Sequence, residues 1–348
     1  ILSANLAKND YLLEVRSDDP KLFSLLGCVS LRAVSINTPN FDDQDLNRLL
    51  SVAPDIESLV LRRSNVTNEG LESVRRLKSL THLSLGDVGM AQRTQGSRGE
   101  RWYEFPANQF NGDVFQSLRD CQGLRELRVI SNSLSGQQME ALSQLNQLES
   151  LVLISPQLSD ECLQKIAAQQ NLRDLLLGGG NFTATGVKHL TALKELRLLA
   201  FKESHVEGTA LVHVAALPSL EMLSLEHTGI ANGDLAALGS APRLWNLYLA
   251  GSELDNSLLP SLKGCGRLAH LHLHETAVND DGVEMLNELK YLHEIFIRAD
   301  QLSASMRKRC SKLLTILDTL KAGDPPEFFF GPGMSRLNMR LFPSPFDE

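Results

Sequence analysis

The sequence predicts an α/β solenoid, with a parallel sheet on one side and short helices on the other. Three observations predict it: a leucine-based pattern that recurs along the chain, a strand period inside each copy, and a helix-start signal after each strand. Leucine accounts for 65 of the 348 residues while aromatic residues make up 5%, and such a bias points to a repeat.

The repeat is L-x-x-L-x-L. Its anchors fall at Leu31, Ile56, Leu80, Leu124, Leu148, Leu172, Leu193, Leu220, Leu244, Leu268 and Leu292, spaced 25, 24, 44, 24, 24, 21, 27, 24, 24 and 24 residues apart. Apolar partners at +3 and +5, such as Leu59 and Leu61 or Leu271 and Leu273, give the period of a strand with one buried face. A further strand is expected at Asp10 to Val15, where Leu13 and Val15 keep the phase. Beyond each strand a small polar residue precedes an apolar run at helical spacing, as in Val66-Thr67-Asn68-Glu69-Gly70-Leu71, Leu158-Ser159-Asp160-Glu161-Cys162-Leu163 and Val278-Asn279-Asp280-Asp281-Gly282-Val283. Ser, Thr, Asn or Asp in that place starts a helix. One such unit cannot bury its own leucines, but a stack of them can.

Over roughly residues 10–300 these motifs resemble the leucine-rich repeat family, in its ribonuclease-inhibitor-like and cysteine-containing classes. Those classes carry a cysteine three residues before the anchor, as Cys28, Cys121 and Cys265 stand in "CVSL", "CQGL" and "CGRL". The family's asparagine after the strand survives at Asn132, whereas Ser64, Thr228, Ser252 and Thr276 hold that place elsewhere. The resemblance implies a right-handed, horseshoe-shaped solenoid with its sheet concave and its helices convex. It also implies a non-enzymatic scaffold that binds another protein. The expected organisation is a solenoid over residues 1–321, with an N-terminal cap and an insertion near 88–107, followed by a Pro/Phe-rich capping segment at 322–348. Met306 to Leu320 is expected to be helical and to begin that cap. Ile1 in place of a methionine suggests that the natural N-terminus, with any signal, precedes this sequence.

Composition excludes several function classes. A net charge of −8 argues against nucleic acid or an anionic membrane surface as the main partner, because both need concentrated positive charge. No apolar run is long enough for a membrane-spanning helix. Five cysteines make no disulfide framework; Cys28 and Cys121 would lie three strands or ~14 Å apart, so buried free thiols are expected. Phosphate-loop, nucleophile-elbow and zinc-protease motifs are missing, and no cofactor is expected. Gly178-Gly179-Gly180 reads as a tightened turn in the short unit of the ladder. His270, His272 and His274 alternate on one strand and face outward. Two of them with Glu294 could hold Zn²⁺ or Ni²⁺, but Arg298 beside His274 opposes a metal, and a polar, pH-sensitive binding surface is the favoured reading. Asn65-Val66-Thr67 and Asn181-Phe182-Thr183 match the glycosylation acceptor pattern, yet both fall where the repeat needs a cap hydroxyl.

Binding is expected on the outward positions +2, +4 and +6. The early strands present Asn37, Val60, Arg62, His82 and Ser84. The middle strands present Ile130, Val152, Ile154, Leu176 and Leu199, an aliphatic patch of the kind that marks an interaction site when bare. Glu226, Asn246, Tyr248, His270, His272, Glu294 and Phe296 follow. The insertion carries Trp102, Tyr103 and Phe105 beside Arg93, Arg98 and Arg101, residue types favoured at binding hot spots. It forms either an internal lid over the patch or one wall of a partner site, and the second is preferred. The histidine strand is expected to tolerate substitution as a surface does. A sensor or regulatory module of a longer protein is the alternative function.

Overall fold

The computed structural model describes residues 2–5, 10–15, 31–86, 92–95, 101–104, 110, 113–311 and 314–317. Five of these stretches, 2–5, 10–15, 92–95, 101–104 and 314–317, are described by backbone alone, as are residues 259 and 287. The chain forms two compact units, Ile1–Leu172 with Leu177–Asn181, and Arg173–Leu176 with Phe182–Glu348.

In the first unit β1 (Leu2–Asn5) runs antiparallel to β2 (Asp10–Val15). Parallel pairing then leads through β3 (Leu31–Asn37), β4 (Ser58–Arg62) and β5 (His82–Leu85). An antiparallel hairpin, β6 (Gln92–Gln95) and β7 (Arg101–Glu104), interrupts the series before it resumes with β8 (Glu126–Ile130) and β9 (Ser150–Ile154). The expected strand at Asp10 to Val15 is thus present, and the insertion contains a hairpin. Register aligns Val34, Leu59, Leu83, Leu127 and Leu151 in one inward column and Ile36, Leu61, Leu85, Val129 and Leu153 in the next, all of them buried.

Strand β10 (Asp174–Gly178) and the two-residue β11 (Asn181–Phe182) lie where the two units divide. The second unit holds β12 (Leu198–Lys202), the two-residue β13 (His205–Val206), β14 (Met222–Glu226), β15 (Asn246–Tyr248), β16 (His270–His272), β17 (Glu294–Arg298) and β18 (Leu314–Leu317). From β12 onward its main-sheet strands pair in parallel. Its inward column runs Leu199, Leu223, Leu247, Leu271 and Ile295.

That register corrects the ladder at one rung. "LKELRL" from Leu193 and "LRLLAF" from Leu196 both fit the repeat, and the first has leucine at +5 where the second has Phe201. The structure uses the second: Leu199 pairs with Leu223, and Leu196, Leu199 and Phe201 are fully buried. The anchor is therefore Leu196, both flanking spacings become 24 residues, and the short unit disappears. The chain end needs a second correction. The helix there spans only Ala304–Arg309, and a further sheet strand, β18, follows it. The expected capping residues at 322–348 lie outside the described residues.

The helix starts act as the sequence indicates. Thr67, Thr183 and Asn279 cap their helices, their side-chain oxygens accepting from Glu69 N, Thr185 N and Asp281 N. Successive repeats are also stapled at this level: the Asp43 carboxylate accepts from the Thr67 amide at 2.8 Å and its hydroxyl at 2.7 Å, and Asp280 accepts from the Ser303 amide at 2.8 Å. Two side chains that complete the acceptor tripeptides are thus structural caps. Among the described residues Cys121, Cys162, Cys265 and Cys310 are free thiols, and burial pushes those of Cys121 and Cys265 up to about 11. Cys28 lies outside the described residues.

Candidate functional site

Strand alternation leaves one sheet face packed on the helices and the other free to present side chains. In the first unit the outward side chains of β4 and β5 are half-buried, as alternation predicts. His82 meets Glu126 across β5 and β8, Nε2 to Oε1 at 3.1 Å, and that hydrogen bond raises the imidazole above its usual value.

The aliphatic patch differs from expectation. Ile130 is 0%, Val152 7% and Ile154 1% exposed. Ile130 packs beside Gly86, whose φ is +86° and where an added Cβ would lie 2.5 Å from the Ile130 carbonyl oxygen. The Ser131 hydroxyl, one residue on, donates to the Phe110 carbonyl, so the chain at Phe110 lies against this strand. Ile130 pairs with Ile154 in register. These side chains are covered rather than bare. Leu176, in the second unit, is 2% exposed, and Leu199 faces the core through the frame correction above. Trp102 and Tyr103 fall on β7, opposite Thr94 and Arg93, with their side chains outside the description; Phe105 lies outside the described residues altogether.

The second unit gathers the other expected residues on the outward face. Tyr248, His272 and Phe296 share one register column. Their rings stack, Tyr248 on His272 with centroids 3.6 Å apart and planes at 16°, His272 on Phe296 at 4.0 Å and 2°. One column over, His270 lies 3.3 Å from Glu294, Nδ1 to Oε2, and edge-on to Trp245 with centroids 5.4 Å apart. On the other flank Lys202 pairs with Glu226 at 3.6 Å, both buried. Met222 and Tyr248 pack together, with Leu198 against them. Burial holds the His272 imidazole well below its usual value, and His274 and His270 add to the effect. It lowers His270 against the pull of Glu294, and His274 against Glu226 and Glu275. Burial thus disfavours the charged form of all three imidazoles.

His272 and His274 are thus buried, 7% and 5% exposed, which corrects the expected surface behaviour of that strand. Among the described residues no group of three or more His, Cys, Asp or Glu side chains is arranged to hold a metal, and none of the described helices is long and apolar enough to cross a membrane. Sequence reasoning missed Trp245, Met222 and Lys202, the partner of the expected Glu226. Met222 and Lys202 occupy +2 and +6 outward positions of correctly framed strands, so the pattern itself could have found them.

At the C-terminal rim of the face the chain turns through the left-handed region at one repeat position. Glu203 (φ 47°), His227 (φ 52°), Gly251 (φ 66°) and Glu275 (φ 57°) stand there. His227 reaches Glu275, Nε2 to Oε2 at 3.8 Å, over Gly251, where an added Cβ would lie 1.7 Å from the His227 ring.

No protein-family model matches the sequence, and neither does any curated protein. Among solved structures the chain is similar to an internalin from Listeria monocytogenes, with TM-score 0.56 and 15% identity over 90% of this chain and 86% of that one. It is also similar to a chain of the mouse RP105/MD-1 complex, with TM-score 0.51 and 16% identity over 86% of this chain. It spans about half of that chain, 48%. Both are leucine-rich repeat structures, and the likeness is one of fold.

Proposed function

From the premise that this chain is a leucine-rich repeat protein by fold, we propose that it is a non-enzymatic scaffold that binds another protein through the outward face of its second unit. The observation that carries this reading is the Tyr248–His272–Phe296 column with its half-buried margin of His270, Glu294, Phe296 and Arg298. Rigid aromatic rings flanked by charge are the residue types that dominate binding hot spots, because they bury large area at low entropic cost. A neutral imidazole held between two rings is fixed before any partner arrives, so little ordering is left to oppose association. The RP105 structure was solved as a complex with MD-1, which fits a scaffold role for the fold. The hairpin near 88–107, with Trp102, Tyr103 and Phe105, is proposed as a second recognition element on the first unit, beside Ile130, Val152 and Ile154.

Affinity capture with the intact chain tests this. Phe296→Ala and Glu294→Lys should each remove a captured protein. Glu294→Lys should leave thermal unfolding within about 2 °C, since substitutions at half-open positions are mild. Phe296→Ala should lower Tm by no more than the several degrees that loss of one ring stack costs. Capture unchanged by both variants would overturn the assignment of this face. Deleting Met90 to Glu104 tests the hairpin in the same assay: a stable protein that loses its partner supports recognition, and a destabilised, dye-binding protein supports a lid.

A further inference from the structure

In the first unit the outward face stays open along three strands. Val60 and Arg62 on β4, His82 and Ser84 on β5, and Glu126 and Arg128 on β8 are all half-buried, each beside a buried inward residue. These strands carry two arginines against one carboxylate, in a chain whose net charge is −8. The face is therefore locally positive on an acidic protein.

Arg62 stands apart within it. His82 and Glu126 hold each other at 3.1 Å, whereas the Arg62 guanidinium makes no hydrogen bond or ion pair with any described residue. Glu126 stands two strands and four residues away, about 16 Å, and is already engaged. The immediate neighbours of Arg62 offer donors rather than acceptors. Asn37 is its register partner on β3. The Asn37 Oδ1 is shut away from solvent without a partner, so Nδ2 is the end this amide can present. The Ser84 hydroxyl lies on the next strand, where Ser84 pairs with Val60. Beyond it Gly86, whose amide donates to the Leu61 carbonyl at 3.0 Å, takes the +6 place next to Arg62 and sets no side chain against the guanidinium.

A planar fork of five N–H donors, always charged and bound to nothing internal, matches two oxygens that accept side by side, as those of a carboxylate do. A nucleic acid needs several cations along its track and is repelled by a strongly acidic chain. A single carboxylate on an otherwise uncharged stretch of polypeptide meets neither obstacle.

We infer that the outward face of β4, β5 and β8 docks an acidic segment of another protein, with one carboxylate of that segment held by both arms of Arg62. This goes beyond the reading above, since it depends neither on the second unit nor on the hairpin. Arg128 adds positive charge that draws the segment in, and Asn37 and Ser84 supply neutral donors beside the anchored carboxylate.

Fluorescence anisotropy of the full chain tests this with three labelled probes: a peptide of alternating Glu and Ser, the same peptide with Gln for Glu, and an oligothymidylate. The Glu peptide should bind and weaken as salt is raised, and the Gln peptide should bind roughly tenfold less tightly or worse, as loss of a charged hydrogen-bond partner implies. Arg62→Gln should weaken the Glu peptide by a similar factor of about ten while leaving Tm within about 1 °C, because the guanidinium supports nothing in the fold. Arg62→Lys keeps the charge and loses the fork, so it should rescue the affinity only in part. Ser84→Glu is an independent variant: a carboxylate supplied diagonally from the next strand is within reach of the guanidinium and should block the Glu peptide as Arg62→Gln does. Failure of the Glu peptide to bind, wild-type affinity in Arg62→Gln, or tighter binding of the oligothymidylate would overturn the inference. So would a fall of several degrees in the Tm of Arg62→Gln, which would show that the guanidinium is engaged within the fold. Phe296→Ala separates the two proposals and should leave affinity for the Glu peptide unchanged. Binding lost in Phe296→Ala and kept in Arg62→Gln defeats this inference alone; a bound Glu peptide with no protein captured through Phe296 defeats the second-unit reading alone.

Discussion

Replacing His272 by alanine probes the outward column of the second unit most directly. The imidazole is 7% exposed and is stacked on both sides, with ring centroids 3.6 and 4.0 Å away. Each aromatic pair contributes about 0.5–1.5 kcal/mol beyond area burial. Truncating a larger buried ring costs about 3–5 kcal/mol, so an imidazole with two stacked neighbours should cost roughly 2–3 kcal/mol. An exposed histidine would cost less than ~0.5 kcal/mol. For a unit of this size each kcal/mol is worth about 2–4 °C, and the expected fall in Tm is several degrees. Acidity adds a second signature. Burial depresses the His272 pKa below its usual 6.5, so the unfolded chain takes up the proton first. Its stabilising contribution is complete above about pH 6.5 and is lost as pH falls below that value toward the folded pKa. His272→Phe keeps the stack and removes this titration, so it should retain stability at neutral pH and soften the acid loss. Calorimetry of the three proteins between pH 7.5 and pH 5 reads both effects. A His272→Ala protein melting within 1 °C of wild type at neutral pH would refute the stacked arrangement.

Three further outcomes follow from the geometry. Leu199→Ala should cost about 2–5 kcal/mol, as buried leucines do, and Leu198→Ala less than ~1 kcal/mol; denaturant unfolding that reversed this order would restore Leu193 as the anchor. The raised His82 pKa, caused first by its hydrogen bond to Glu126, carries the opposite pH sign from His272. Its contribution is complete below the usual 6.5 and is lost as pH rises through the raised folded value. Glu126→Gln should flatten the stability profile just above pH 6.5, and an unaltered profile there would show that the pair does not form. Gly251→Ala should destabilise by more than ~1 kcal/mol, because it adds both left-handed strain and a clash with the His227 ring; thermal melting indistinguishable from wild type would show that the rim turns otherwise.

The direction of the anchored strands and most inward columns were legible because leucine at +3 and +5 can mean little else, and a one-residue slip would have put every such residue on the wrong face; the edge strands β1 and β18 carry no such anchor and were not foreseen. The frame failed at Leu193, where two overlapping matches compete and the true +5 residue is Phe201. Nothing local decides between them; the pairing of Leu199 with Leu223 does. The end of the chain misled for a related reason, since Leu314 to Leu317 fall inside a stretch that fits a helix period and nonetheless pair with β17 as β18. Outward direction was read correctly for Tyr248, His270, His272 and Phe296, but exposure was not. Alternation tells which way a side chain points and carries no information about what lies above it, so whether Ile130, Val152 and Ile154 are bare or covered was left open between a lid and a partner wall, and they are covered.

The rim of that face carries a conformational cost which glycine would remove. Glu203, His227 and Glu275 all hold positive φ, from 47° to 57°, and a left-handed backbone costs a non-glycine residue about 1–2 kcal/mol. The neighbouring Gly251 shows that the same repeat position accepts glycine. Retaining charged or imidazole side chains there puts polar groups along the C-terminal edge of the proposed binding face at the expense of stability, and such strain concentrates at functional sites. Glu275→Gly separates the two demands. Relief of strain, offset by the flexibility that glycine gives the unfolded chain and by loss of the partly exposed His227 contact, should leave stability equal or up to ~1 kcal/mol higher. If the rim recognises a partner, the same variant should capture that protein several-fold less well. A gain or no change in Tm together with weakened capture marks the side chain as kept for binding. A loss of more than ~1 kcal/mol would show instead that Glu275 is held for the fold, and the rim would then have no claim to recognition.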